Sequence, residues 1–568
     1  MKHSTKFLAL SILVASPGLS SAQAPSVPSS GDLIKQAKPV TPVAEPSPLP
    51  AVATEPYAPP LKADDKVTVL VKRFEFNGNR VFDAGELNAL VAPYVNQQLG
   101  VNKLKAIASQ ITRYYRDRGY FVARAYLPQQ LLNDGMVTID IVEGRYGEFE
   151  IQNSSLVQDK EVQAFMDELK VGGVVSAQSL ERQMLLINEL AGVAVTNAEA
   201  FPGQEVGASD FRVTSKPTKE VTGYAVVDNY GSRYTGEHRL SAGVTLNSLT
   251  GIGDRLTFSG LSSDTGSQTN GGLSYDRPLG YRGLKGGVSY SQTRYALDQI
   301  ANYEGTGLSE SVGVYASYPL LKTRARAQDV RIDLSHKSTE DRSGIPGSVA
   351  SAEKLIDSVQ LSFNDRRSTD LMSKPGRLFS TLSATGGRVI MDNAVAVARD
   401  ADLQSAGKFA KANLNLTHTQ LVSRRLQLTT TFKSQWSFGK NLDSSEDLSV
   451  GGSNGVRAYE DSELSGDKGV ALSMDLAYSL PAFSQVKSHQ VSLFVDTAKV
   501  WKNDQPLGLA ENNARRLNAA GIGYAMSFDR VDMKASWARG FGSQKTPASE
   551  AEFSTSLNKV LIQGTLRF

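Results

Sequence analysis

The side chains that could do chemistry in this sequence are charged ones, not nucleophiles or metal ligands. Cysteine is absent from the 568 residues, which removes disulfide scaffolds, thiol catalysis and Cys-ligated zinc together. His3, His238, His336, His418 and His489 show no metal-ligand spacing, and no local Ser, His and acid grouping suggests a nucleophile with its base. Gly251-Ile252-Gly253 lies in a short connection between strand-like runs instead of at a helix start, so it reads as a turn and not a phosphate loop. Neither a cofactor nor an enzymatic step is suggested. Two opposite charges remain in distinctive settings. Arg457 stands in the Gly- and Ser-rich run Gly451-Gly452-Ser453-Asn454-Gly455-Val456-Arg457-Ala458-Tyr459, and Asp496 closes Leu493-Phe494-Val495-Asp496. They could form an ion pair; taken alone, Arg457 reads as a solvated loop charge and Asp496 as a polar residue on a wet face.

Which reading holds depends on the elements that carry them. The chain has 61 basic and 58 acidic side chains, a formal charge of +3, and so no electrostatic pull toward nucleic acid. Residues 1–24 carry Lys2 and Lys6, an apolar stretch from Phe7 to Ala15 and a small-residue cleavage site at Ser20-Ser21-Ala22 or Ala22-Gln23-Ala24, the pattern of a secretory signal. After Ala24 nothing approaches the ~18 uninterrupted apolar residues of a membrane-spanning helix, so any membrane span must be a barrel. Residues 25–38 contain a candidate short helix. Ser30 is placed to cap it and Leu33, Ile34 and Ala37 share a face, although the segment reads equally as an unstructured tail. A linker follows over 39–65, extended by Pro39, Pro42, Pro46, Pro48, Pro50, Pro56, Pro59 and Pro60.

Two compact α+β units come next, over 66–145 and 146–217. In the first, Val67, Val69 and Val71 alternate as a strand, Asp83 and Glu86 form a capping box before Leu87 and Leu90, and Leu104, Ile107, Ala108 and Ile111 mark a second helix ended by Gly119. A hairpin of Tyr120–Leu127 and Met136–Val142 closes the unit around Asn133-Asp134-Gly135. The order repeats in the second unit: a strand at Phe149 and Ile151, a helix near Glu161–Leu169, a helix with Leu180, Met184 and Ile187 on one face, then strands at Val193–Ala198 and Asp210–Thr214.

From 218 to 568 the period becomes 2, as in Leu240, Ala242, Val244 and Leu246 against Arg239, Ser241, Gly243 and Thr245. Strands are expected to start near Val221, His238, Asp254, Gly271, Leu284, Glu310, Ala327, Asp357, Gly376, Lys408, Arg425, Val470, His489, Ala519, Val531 and Lys559. The 348 residues from Val221 to Phe568 leave about 22 for each of sixteen strands with its connection, which suits tilted spanning strands. A soluble sandwich or propeller also uses short alternating strands, but seldom has so polar an inner face. The fold class is thus mainly β, a 16-stranded transmembrane barrel behind two α+β domains. With those domains in the periplasm, loops after odd-numbered strands face outward. The longest, 438–469, follows strand eleven and carries Arg457. On strand thirteen Val491, Leu493 and Val495 face lipid, so Phe494 and Asp496 face the lumen.

From Val67 to Phe568 the chain resembles the TpsB family, the transporters of two-partner secretion, relatives of the BamA-type barrel assemblers. The tandem α+β units resemble its polypeptide-transport-associated (POTRA) domains. Asp228 to Gly236 and Gly251 to Asp254 resemble its opening barrel strands. Val456-Arg457-Ala458-Tyr459 resembles its Val-Arg-Gly-Tyr signature, carried on a loop that folds back into the barrel, and Phe494-Val495-Asp496 its Phe-x-Asp motif. Alanine at 458 replaces the family's glycine, which leaves the tip's conformation open because alanine tolerates positive φ less well.

The resemblance implies an ion pair between Arg457 and Asp496 in the lumen and a resting pore plugged by the amino-terminal helix and this loop. It implies an outer-membrane monomer in contact with lipid and lipopolysaccharide, with its amino-terminal domains in the periplasm. Its partner would be an unfolded exoprotein, a large β-helical adhesin, haemolysin or toxin, exported without ATP. A BamA-like assembly factor is the alternative. A porin-like transporter is disfavoured by the tandem domains, and a surface hydrolase by the missing catalytic residues.

Overall fold

The computed structural model describes residues 30–36, 52–53 and 68–568, apart from 132–133, 171–172, 206, 299–301, 372, 454, 462, 484, 507–512 and 543–557. The signal peptide expected over 1–24 and nearly all of the proline-rich stretch lie outside the described residues. Within 25–38, Ser30–Gln36 forms a helix, α1, and Val52–Ala53 forms a two-residue strand, β1.

The first α+β unit contains β2 (Thr68–Val71), β3 (Arg73–Asn77), α2 (Ala84–Val91), β4 (Gln97–Gly100), α3 (Val101–Asp117), β5 (Arg124–Tyr126) and β6 (Met136–Val142). The capping box forms at α2, with the Glu86 backbone N–H donating to Asp83 Oδ1 at 2.8 Å. One face of α3, Leu104, Ile107, Ala108 and Ile111, is buried in one cluster with Val137 and Ile139 of β6. The helix ends before Gly119, whose φ of +93° favours glycine. A buried acid organises the end of this unit: Glu143 Oε1 accepts from the backbone N–H of Arg80 and Val81 and from the Tyr115 hydroxyl, at 2.7, 2.8 and 2.9 Å. Burial, and then this carboxylate, push the Tyr115 phenol far above its ordinary pKa. Strand β4, paired with β2, has no counterpart in the sequence reading, because Gln97-Gln98-Leu99-Gly100 is too short and polar to show alternation.

The second unit contains β7 (Arg145–Asn153), α4 (Asp159–Asp167), α5 (Ala177–Asn188), β8 (Val193–Pro202) and β9 (Ala208–Pro217). Its sheet runs β1-β8-β9-β7, so a piece of the proline-rich stretch forms its edge: β1 lies parallel to β8, with Val52 opposite Ala198 and Ala53 opposite Glu199. The unit is seated on the near end of the barrel. Gln183 Nε2 donates to the Tyr281 carbonyl at 3.1 Å, and Phe165 meets the Tyr281 ring edge-on. Glu189 pairs with both Lys285 and Lys322.

Sixteen antiparallel strands then close into a barrel. They are β10 (Val221–Asp228), β11 (Arg239–Asn247), β12 (Arg255–Ser263), β13 (Gln268–Pro278), β14 (Lys285–Ala296), β15 (Glu304–Lys322), β16 (Arg326–Ile345) and β17 (Ser348–Leu371). Next come β18 (Lys374–Met391), a short helix α6 (Ala394–Asp400), β19 (Gly407–Leu421) and β20 (Leu426–Ser437). A long loop containing the small hairpin β21 (Leu448–Ser449) and β22 (Ser465–Gly466) leads to β23 (Lys468–Ser479), β24 (Ser488–Trp501), β25 (Ala514–Ser527), β26 (Val531–Gly540) and β27 (Asn558–Arg567). Closure is made by β10 against β27, from Tyr224 opposite Arg567 to Asp228 opposite Gln563.

Sixteen strands is the number expected. Most begin within three residues of the expected positions, but β15 starts at Glu304 instead of near Glu310, β17 at Ser348 instead of Asp357, and β25 at Ala514 instead of Ala519. These are outer ends, where the ladder continues past the apolar band and both faces are wet, so alternation gives no signal there. The expected loop 438–469 is two residues too long: Lys468 and Gly469 already pair with Trp501 and Val500. Outward-pointing Leu240 is 54% exposed while its inward neighbour Arg239 is 4% exposed, as a lipid face over a filled lumen requires.

Candidate functional site in the barrel lumen

The loop from Phe438 to Asp467 turns back into the barrel at the end remote from the α+β units. Its descending and ascending arms are tied by the Val450 N–H to the Leu464 carbonyl at 3.0 Å, and the tip is folded tightly by Val456 N–H to the Val450 carbonyl at 2.8 Å and Tyr459 N–H to the Val456 carbonyl at 3.1 Å. Val450, Val456, Ala458 and Tyr459 are buried in one cluster with Phe494, Ala498, Leu517 and Ala519 of the inner wall. Residue 458 has no positive φ, so alanine is accommodated where the family pattern has glycine.

Arg457 and Asp496 meet. Asp496, 1% exposed, accepts at Oδ2 from Arg457 Nε at 2.8 Å and from the Arg457 backbone N–H at 3.1 Å, and at Oδ1 from Nη2 at 2.7 Å. The guanidinium lies over the ring of Phe494, 3.4 Å from its centroid, so both residues of the Phe-x-Asp motif hold it.

Two further groups were not anticipated. Asp475 takes Arg457 Nη1 at 2.8 Å and Nη2 at 3.1 Å, and the Ser473 hydroxyl donates to Asp496 Oδ1 at 2.7 Å. The sequence carried half of this signal: Leu472, Met474 and Leu476 alternate with Ser473 and Asp475, which puts the latter in the lumen. That Ser473 stands opposite Asp496 and Asp475 opposite Phe494 follows only from the β23–β24 register.

A second cluster fixes the loop nearer its start. The 3₁₀ turn Ser444–Glu446 is held by three lysines of the inner wall: Lys354 with Asp443 at 2.7 Å, and Lys337 and Lys411 with Glu446 at 3.1 and 2.8 Å. The candidate plug helix touches this turn. Lys35 Nζ donates to the carbonyls of Ser444 and Asp447, both at 2.7 Å, while Gln268 Nε2 donates to the Leu33 carbonyl at 3.0 Å. Leu33 is fully buried and a Cβ at Gly31 would run into the Ser444–Ser445 backbone, so helix and loop pack as one obstruction. The arrangement is a polar-anchored plug in a barrel.

Comparison with known proteins agrees with this geometry. Residues 207–526 match the family described as haemolysin secretion/activation protein ShlB/FhaC/HecB, and residues 69–144 match the ShlB-type POTRA domain. The heme/hemopexin transporter protein HuxB of Haemophilus influenzae strain 86-028NP is 26% identical over 480 residues, 84% of each chain. The outer membrane transporter CdiB of Dickeya dadantii is 24% identical over 75% of this chain and 76% of its own. The solved structure of CdiB from Escherichia coli superposes with a TM-score of 0.72 at 21% identity, covering 94% of this chain and 95% of that one. With more than half of its length matched, the chain belongs to the haemolysin secretion/activation family, ShlB/FhaC/HecB, and is an outer-membrane transporter whose POTRA region lies in the periplasm.

Proposed function

We propose that this protein is the outer-membrane pore through which a single partner exoprotein is exported, unfolded and without ATP, in a two-partner secretion system. The observation that carries this reading is the plug: a closed barrel whose lumen is obstructed by the chain's own loop and helix, held by ion pairs and hydrogen bonds that exchange without bond breaking. Such a pore needs a trigger instead of a catalyst, and we assign it no enzymatic role.

Both α+β units, 66–145 and 146–217, act as POTRA domains in this reading and capture the partner by strand addition. The β8 edge supports that mode, because it already accepts an extended segment, β1. Val456, Arg457, Ala458, Tyr459, Phe494 and Asp496 form the luminal lock. The partner is a large β-helical adhesin, haemolysin, toxin or haem-acquisition protein, and its folding outside biases transit outward. The transporter works as a monomer surrounded by outer-membrane lipid and lipopolysaccharide.

The test is surface display or release of a candidate partner in cells with the wild-type protein, none, or Arg457→Ala at equal barrel abundance. Export only with the wild type supports both the pore and the lock. Normal export by Arg457→Ala removes the lock's functional role. Normal export without the protein, with other barrels assembling poorly, replaces the exporter by a BamA-like assembly factor.

A further inference from the structure

On the outside of the barrel, one stretch of the lipid-facing surface combines small side chains with two cations. Along β18 the outward positions approaching the cell exterior are Ala384, Gly386 and Arg388; along β19 they are Ala412, Ala410 and Lys408. The register places them in direct cross-strand pairs: Ala384 with Ala412, Gly386 with Ala410, Arg388 with Lys408. Two adjacent strands therefore present a trough with nothing larger than a methyl group, topped by two cations.

Taller side chains wall it in. On β17, Val359 and Leu361 stand opposite Gly386 and Ala384. On the other side Trp436 stands opposite Ala412, and the Phe438 backbone N–H reaches the Ala410 carbonyl. Gly386 and Arg388 also form one end of an external concavity of ≈ 500 Å³ that extends across β17 and β16 to Leu334 and Val312. The combined width suits several acyl chains side by side.

The cations sit at headgroup height. From Lys408 to His418 the outward residues are Ala410, Ala412, Leu414 and Leu416; ten residues at ~3.3 Å, tilted ~40°, span ~25 Å, the height of the apolar band. Among the described residues neither the Arg388 guanidinium nor the Lys408 ammonium has a protein hydrogen-bond or ion-pair partner. The acid in the same row, Asp357, stands directly opposite Arg388 but bonds on its other side to His336 Nδ1, at 2.7 Å. Two unpaired cations over an apolar trough leave an anion unfilled, and arginine in particular matches the planar oxygen geometry of a phosphate.

We propose that this trough is a specific binding site for a phosphorylated, multiply acylated glycolipid of the outer leaflet, the lipid A portion of lipopolysaccharide. Arg388 and Lys408 hold a phosphate, and an acyl chain lies over Gly386, Ala410, Ala384 and Ala412. The site rests on the outer-membrane orientation of the barrel, not on the identity of the partner or on the luminal lock.

Native mass spectrometry of the full-length protein in mild detergent tests it, with diphosphoryl lipid A, its dephosphorylated form and phosphatidylglycerol added in equal amounts. The wild type is expected to retain one diphosphoryl lipid A with a preference of at least about tenfold over either competitor. The Arg388→Ala/Lys408→Ala double variant should lose that preference. The Ala384→Leu/Ala410→Leu variant, with both cations intact, should lose retention itself. Heat-modifiable migration on gels establishes that each variant is a folded barrel. Equal retention of the phosphorylated and dephosphorylated lipids, or a double variant that keeps the preference, overturns the phosphate site. Unchanged retention after filling the trough overturns the acyl groove, and phosphatidylglycerol bound as well as lipid A overturns the glycolipid assignment.

Discussion

Arg457 donates to Asp496 through three separate N–H groups, one from its backbone and two from its guanidinium, at 3.1, 2.8 and 2.7 Å. The backbone bond matters as much as the side-chain ones, because it fixes where the loop tip sits and not only where its charge points. A buried carboxylate satisfied in this way holds a loop of about thirty residues at one point of the wall.

Removing the cation leaves two acids, Asp475 and Asp496, facing each other with one of them buried. Arg457→Ala should therefore loosen the tip by ~3 kcal/mol or more. Arg457→Lys should recover only part of this, since an ammonium cannot make two bidentate contacts or stack on Phe494. Protease cleavage within 438–467 in intact outer membranes measures the loosening; a wild-type cleavage rate for Arg457→Ala would contradict it.

The two acids should not be equivalent. Asp496 is 1% exposed and also takes the loop backbone and Ser473, whereas the Asp475 side chain is 29% exposed and takes only side-chain donors. Asp496→Asn should cost ~3 kcal/mol and Asp475→Asn ~1 kcal/mol of tip anchoring. The same cleavage assay ranks them, and an equal or inverted ranking would show that burial does not set the difference.

Lys35 joins α1 to the loop by two hydrogen bonds. Lys35→Ala should destabilise the plugged state by ~1–2 kcal/mol and raise the open probability in planar bilayers about five- to thirtyfold. Unchanged open probability would mean that α1 does not limit opening.

Strand β1 covers the β8 edge with only two paired residues. Proline at both Val52 and Ala53 cannot donate to a ladder, so the edge should be freed. If partner strands use that edge, an amino-terminal partner fragment should bind the full-length variant a few-fold more tightly in titration calorimetry, by the ~1 kcal/mol of a lost competing ladder. Equal or weaker binding would place the partner elsewhere.

Much of this was legible in the sequence because it is local. Alternation at period 2 marks each spanning strand, fixes which side chains face lipid, and so puts Phe494 and Asp496 in the lumen before any strand is paired. The capping box at Asp83 and Glu86 and the helix stop at Gly119 are equally short-range. Local signals failed where both faces of a strand are wet, as at the outer ends of β15 and β17, and where a strand is too short to alternate, as at β4. The small-residue trough is visible as Ala384, Gly386, Ala410 and Ala412 only once β18 and β19 are in register.

Short-range pattern therefore specifies the architecture: two α+β units, sixteen amphipathic strands and a loop carrying a lone arginine. Tertiary structure alone decided the partners. Asp475 joins Arg457 because β23 pairs with β24 in one register, Lys35 reaches Ser444 across 409 residues of sequence, and β1 lies on β8. The physical reason is that hydrophobic period is a property of a few neighbouring residues, whereas register and loop placement are set by contacts between segments far apart in the chain, whose geometry exists only when the barrel closes.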